Sequence, residues 1–315
     1  MFAGIVYALM ACFIWGLIFV VPEWMESYTA IEVAIGRYIV YGTVSALFFL
    51  KILLNKHIHF SREVWLKALY FSLASTFGYY TCLVLGLRYA SPAICALVIG
   101  ISPITIAFYG NWRQKETAFK NLIIPSILIL IGLVIINVPH IETTDSPGEY
   151  ALGLVFAVIS LLCWSWYVVA NARFMRYHPQ IDPNQWSTLI GVATLLWVFV
   201  FTIILILFFE DQFHMEKYIT PNEALTNFWV GSLVLGLLCS WMGAFLWNKA
   251  SLYLPVSLAG QLTVFETIFG VIFVYMVTKS VPSTLEVVGI LILLTGVIVG
   301  IRHFSKKKVK QLEPH

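Results

Sequence analysis

The chain has 315 residues, 60% of them hydrophobic and 11% charged, with a formal net charge of +3. With a mean hydropathy of +0.87, no water-soluble fold of this length could cover its surface, so a polytopic membrane protein is the reading that remains. Repeated apolar runs of about 20 residues mean helices, because a bilayer leaves backbone groups no water to bond and barrel strands would alternate over about 10 residues. The fold class is therefore all-α.

Apolar runs set against charged or turn-rich breaks predict ten transmembrane helices, at 2–21, 31–54, 64–86, 91–111, 120–138, 151–171, 185–209, 227–249, 254–277 and 284–303. The first begins almost at Met1 with no Lys or Arg ahead of it, which reads as a spanning helix and not as a cleavable signal. Most breaks carry turn or interface residues, among them Pro22, Asn55 with Lys56, Ser91-Pro92, Pro147-Gly148, Pro179, Pro183 and Pro282-Ser283. Only 210–226 is long, and the tail 304–315, with Lys306, Lys307, Lys308 and Lys310, reads as a basic cytoplasmic terminus. The five cysteines, Cys12, Cys82, Cys95, Cys163 and Cys239, all fall within apolar runs without metal-ligand spacing and read as small packing residues.

With a cytoplasmic N-terminus, fifteen Lys and Arg residues lie inside and only Arg88, Lys217 and Lys279 outside, with Arg37 left within a helix. That asymmetry predicts both termini in the cytoplasm. An internal repeat also emerges. Gly4, Ala8, Ala11 and Trp15 recur as Gly153, Ala157, Ser160 and Trp164, displaced by 149 residues. From the third helix onward the displacement is 164, placing Tyr89 on Tyr253 and Gly132 on Gly296. An odd number of helices per half sends the second half into the membrane from the opposite face, so the prediction is an inverted repeat of two five-helix units, 1–147 and 148–303.

One ionisable residue, Glu266, stands near the middle of the apolar stretch Leu254 to Met276. A charged group at that depth costs roughly 2.5–3.5 kcal/mol on insertion scales, so it should face a partner or a wet cavity. Ala259, Thr263, Glu266 and Gly270 share one small, polar stripe. A carboxyl that only holds helices together is the plainer alternative. In the third helix Ser72, Ser75, Tyr79, Cys82 and Gly86 form a stripe that either lines a path or packs closely against a neighbour. Trp164, Tyr167 and Asn171 share a face of the sixth helix, with Trp15 as the counterpart of Trp164; these aromatics either gate a path or anchor at the interface. Gly236, Ser240 and Gly243 read as a packing face of the eighth helix, while Trp241 and Trp247 are available as pathway aromatics. Arg37 lies about six residues inside its helix end, where snorkelling and an ion-pair or steering role are both open. Lys249 reads as a topological charge, and Gln261 and Asn248 as residues near an interface.

Trp15-Gly16, Arg37, Tyr89, Ser102-Pro103 and Glu266, taken with the five-plus-five helix count, resemble the drug/metabolite transporter superfamily, specifically its ten-helix EamA-type permeases. The resemblance covers the whole chain. It implies a central pathway lined mainly by helices three, four, eight and nine, with one and six contributing, five and ten peripheral, and export of amino acids or related metabolites as a common activity. It adds Ser102 to the substrate-site candidates, which are then Tyr79, Trp164, Trp15, Ser75, Tyr167, Asn171, Trp241, Ser102 and Glu266, with Glu266 and Arg37 as coupling or ion-pair candidates. The sequence departs from the family pattern at Thr267, where proline is usual, at Ser165 in place of glycine, and in a seventh helix without a cation equivalent to Arg37; the second-half pathway is accordingly expected to bend less than the family average.

The leading expectation is a secondary transporter that exports small amphipathic or zwitterionic metabolites by alternating access, with H⁺ as a candidate coupling ion. Its partners are a small-molecule substrate and the lipid bilayer, with no nucleic acid, no cofactor and no metal. The expected location is a bacterial inner membrane. An ATP-driven pump lacks its phosphate loop, Gly-x4-Gly-Lys-Ser/Thr. An intramembrane enzyme lacks its chemistry, since all seven histidines fall in breaks or tails. A lipid or lipid-linked sugar translocase of the same fold is the alternative, and a lateral opening lined by aromatics would support it.

Overall fold

The computed structural model describes residues 1–54, 60–90, 92–137, 147–208 and 215–310. The predicted breaks at Asn55 with Lys56 and at Ser91, the first part of 210–226 and the last residues of the tail lie outside them. Among the described residues the protein is all-helical, with 88% of residues in helix and no strand. Nine helices are long and apolar enough to cross a membrane, and a tenth apolar helix spans Lys120–Ile136. Ten helices at the ten predicted places follow.

Helix α1 runs Phe2–Gly16 and continues as tight 3₁₀ turns, Leu17–Phe19 and Val21–Met25. Helix α2, Ala30–Leu53, opens on a capping box in which the Thr29 hydroxyl accepts from the Glu32 amide and the Glu32 carboxylate accepts from the Thr29 amide. Helix α3 is Arg62–Tyr89, and α4 comprises Pro92–Gly100 and Ser102–Gln114. Helices α5, Lys120–Asn137, α6, Pro147–Tyr177, α7, Pro183–Phe208, and α8, Glu223–Tyr253, follow. Helix α9 comprises Val256–Leu262 and Val264–Thr278, and α10 is Thr284–Lys310.

Local irregularities fall at corresponding places. Helices α3 and α8 each widen into a π-helical stretch, Leu73–Gly78 and Val234–Met242, which offsets the side chains beyond it and leaves carbonyls free for other donors. Helices α4 and α9 are each interrupted, at Ile101 and Thr263. Pro103 sits in the first turn after the α4 break, where a missing N–H costs nothing. At the corresponding place α9 has Thr267, and it breaks all the same. At the break the Thr263 hydroxyl donates to the Gly260 carbonyl at 2.6 Å.

Small residues set the closest approaches. Helices α5 and α10 pack along much of their lengths, and a Cβ on Gly132 would stand 2.7 Å from the Gly289 carbonyl oxygen. Helix α2 lies along α7, α1 along the second part of α8, and the second part of α3 along α6. The second segment of α4 packs on the first of α9, where a Cβ on Gly110 would meet Val256 at 2.7 Å and one on Gly260 would meet Ile106 at 2.6 Å. Among the described residues the two remaining segments, Pro92–Gly100 and Val264–Thr278, have no comparable contact with one another. One end of the α4/α9 pair is therefore shut and the other parted.

Candidate substrate site

Glu266 lies in the first turn of the second α9 segment, three residues past the break, and is half-buried. The break places it there: its amide bonds the Thr263 carbonyl at 3.0 Å, and the first-turn N–H groups set a favourable field for a carboxylate. Helix α1 holds this region closely, because a Cβ on Gly16 would meet Gly270 N at 3.0 Å and one on Gly270 would meet Phe19 at 2.3 Å. The Cys12 thiol donates to the Leu262 carbonyl at 3.5 Å, taking up one acceptor left free by the interruption.

Helix α1 links Glu266 to the π-helical stretch of α8: Cys12 and Gly16 meet α9 on either side of Glu266, and Trp15 between them bonds Cys239, the neighbour of Ser240. Arg37 does not snorkel outward. Its Nε donates to Ser240 Oγ at 2.9 Å and its guanidinium stands 5.3 Å from the centre of the Tyr38 ring. Ser240, expected to serve packing alone, sits in the π-helical stretch of α8 and also donates to the Leu235 carbonyl at 3.1 Å. Arg37 and Glu266 make no direct ion pair among the described residues.

The wall is aromatic. Tyr79 and Trp164 have ring centres 5.2 Å apart, Trp164 and Tyr167 5.6 Å, and Trp15 and Trp164 6.1 Å. Trp15 is fixed by its Nε1 donating to the Cys239 carbonyl at 2.8 Å, an acceptor in the same π-helical stretch, and it leans on Trp247 at 5.4 Å. Trp15 and Tyr167 are buried, whereas Tyr79 and Trp164 are half-buried and form the exposed part of the cluster. Ser75 is half-buried in the π-helical stretch of α3, and Ser102 is buried where α4 resumes after its break. Ser165, at the departure from the family motif, has its Oγ 2.6 Å from Thr105 Oγ1 and ties α6 to α4.

Two of the sequence candidates lie elsewhere. Asn171 is fully buried in a network of its own: it donates to Asn248 Oδ1 at 2.7 Å and accepts from Trp186 Nε1 at 2.7 Å, while Asn248 donates to Ser187 Oγ at 2.9 Å. Its amide is engaged on both sides, which assigns it to cross-linking α6, α7 and α8. Asn248 is likewise a buried link. Trp241 stacks on Phe48 of α2 at 4.6 Å and on Phe245 at 6.1 Å, away from the Trp15 cluster. Lys249 lies over the Tyr7 and Phe245 rings at 5.3 and 4.8 Å.

Sequence reasoning passed over two polar clusters. At one end of the bundle Glu32, 2% exposed, accepts from the Tyr218 hydroxyl at 3.0 Å and lies 3.8 Å from Lys217 Nζ. The Thr29-x-x-Glu32 pattern was the available signal. At the shut end Arg176 and Glu116 pair at 3.4 Å. Sixty residues separate them, and nothing local marks either.

The fold and the placement of its carboxylate define a multi-pass helical membrane protein with a polar, aromatic-walled centre. The chain belongs to the EamA-like transporter family, whose model matches residues 2–138 and again 151–301. It is 29% identical to the inner membrane protein YtfF of Escherichia coli K12, over 99% of this chain and 98% of that one. It is 20% identical to the uncharacterized transporter YyaM of Bacillus subtilis 168, over 75% and 73% of the two chains. A solved crystal structure superposes with a TM-score of 0.75 at 18% identity, covering 95% of this chain and 98% of that one, and shows the same fold. Membership of a transporter family, and not of an enzyme family, is what these likenesses show.

Proposed function

We propose that the protein is a secondary transporter that exports small amphipathic or zwitterionic metabolites, amino acids among them, by alternating access. The observation that carries this reading is the central arrangement: Glu266 at a helix break and Arg37 on Ser240, unpaired with one another, beside the half-buried rings of Tyr79 and Trp164. A cationic group would meet Glu266 and the ring faces, an anionic group Arg37, and an apolar side chain the aromatic wall. In this reading Trp15 and Tyr167 back that wall, Ser75 and Ser102 offer hydroxyls to the path, and Asn171 and Trp241 brace the surrounding helices.

In this reading 1–147 and 148–303 are five-helix repeats of opposite orientation and 304–315 is a cytoplasmic tail. Support comes from the paired π-helical stretches, the paired breaks and the twofold match to the family model. Both termini face the cytoplasm by the Lys and Arg distribution, and the membrane is the bacterial inner membrane, as for YtfF. Glu266 carries the coupling proton. Radiolabel flux into proteoliposomes, across a panel of amino acids, nucleobases, polyamines and lipid precursors, tests the reading: saturable flux of zwitterions supports it, and flux of lipid precursors alone overturns it.

One observation favours the lipid-translocase alternative. A cavity of about 60 Å³ between α2, α3 and α7 is lined by Tyr38, Phe77, Tyr80 and Phe201 with aliphatic neighbours, and could take an alkyl chain.

A further inference from the structure

The shut end of the α4/α9 pair is tied by a cluster that the substrate site does not use. Gln114 and Glu116 stand at the end of α4, Arg176 near the end of α6, and Ser251 and Leu254 at the turn from α8 to α9. The Glu116 carboxylate accepts from the backbone amides of Val256 at 2.7 Å and Ser257 at 2.8 Å. It also pairs with Arg176 at 3.4 Å. The Arg176 guanidinium donates further to the Ser251 carbonyl at 3.3 Å, to Gln114 Oε1 and to the Leu254 carbonyl. One planar cation thus bonds acceptors on two separate connections while standing on a third element, an arrangement that needs the rigid fork of arginine.

We infer that the Arg176–Glu116 cluster is the lock that holds this end of the transport path closed and must release for the path to face the other way, an inference that rests on the alternating-access reading above. Three observations converge on it. The cluster caps the one place where α4 and α9 pack tightly, and the opposite pair of segments stands apart. It joins the connection after α4 to α6 and to the start of α9, so it spans the elements whose separation would open that end. Its side chains are only 31% and 10% exposed while the lock is made, yet they lie at a bundle end where both charges regain water on parting. Such a bond suits a switch, since a sealed apolar contact would leave its surface exposed in the other state.

Spin-label distances in reconstituted full-length protein test this. In a background free of native cysteines, one pair of labels at Arg113 and Leu252 reports the shut end, and a second pair at Ala96 and Val277 reports the parted end. Arg176→Ala should lengthen the first distance and shorten the second. Glu116→Gln should shift both the same way to a smaller degree, and Arg176→Lys should not restore the parent distances. Unchanged distances at both ends in monodisperse Arg176→Ala protein overturn the lock. If Arg176→Ala does not fold, Glu116→Gln decides by the same criterion. Flux of the radiolabelled amino acid panel in the same proteoliposomes separates the two ideas: parent protein that moves solute, with variants whose distances stay put, defeats the lock alone, whereas parent protein that moves nothing in the panel defeats the transport reading.

Discussion

Glu266 is the residue on which the proposed chemistry turns. Glu266→Gln keeps the shape and most of the hydrogen-bonding capacity of the side chain and removes proton exchange. It is expected to retain counterflow exchange of substrate and to lose gradient-driven accumulation and its pH dependence; unchanged pH-dependent uptake in sealed proteoliposomes would refute the coupling role. Asn171 makes the opposite case. Asn171→Ala strips a partner from Asn248 and from Trp186, each buried, and should cost about 1–3 kcal/mol. The loss should appear as a lower unfolding midpoint, with the order of substrate preference unchanged. Outside the spans, burial and the adjoining Glu32 carboxylate raise the Tyr218 hydroxyl above its ordinary value. The folded protein therefore favours the neutral phenol, whose contribution is complete below the ordinary tyrosine value of about 10 and fades as pH rises beyond it. Thermal stability should fall above that pH, and Tyr218→Phe should flatten the fall while lowering stability at neutral pH.

At the scale of elements, the irregular stretches of α3, α4, α8 and α9 make the centre. The π-helical stretch of α8 presents the Cys239 carbonyl to Trp15 and places Ser240 against Arg37. Gly243, just beyond it, leaves room for the indole: a Cβ there would stand 2.4 Å from Trp15 Nε1. Gly243→Ala should therefore displace Trp15, with an overpacking cost of about 1–3 kcal/mol and altered tryptophan fluorescence. Gly148→Ala, at the start of α6 with nothing within 4 Å of the added carbon, should leave both stability and fluorescence unchanged. Equal responses from the two variants would mean that the Trp15 contact has no special weight.

For the whole molecule, the decisive question is orientation. A single cysteine at Ser280 in a cysteine-free background should react with an impermeant thiol reagent applied outside, and one at Ser61 should not; both positions are exposed in the fold. The reverse pattern would remove the inside-termini assignment and would place the Arg176 lock on the outer face. It would leave the helix packing untouched, since that follows from contacts and not from the direction of insertion.

The sequence by itself determined the helical class, the ten helix positions and the isolation of Glu266. Each of these is a local property: a bilayer demands about 20 apolar residues per span and penalises an ionisable group wherever it falls. It also showed which residues share a helix face, so Trp164 and Tyr167 emerge together in both sequence and structure. Which face meets which neighbour was decided by tertiary structure alone. Lipid tails and protein interior are equally apolar, so hydropathy cannot tell a lipid-facing stripe from a packed one. Hence Arg37 turns inward to Ser240, Asn171 is drawn to Trp186 and Asn248, Trp241 leaves the cluster for Phe48, and Arg176 finds Glu116 across a gap that no sequence period spans.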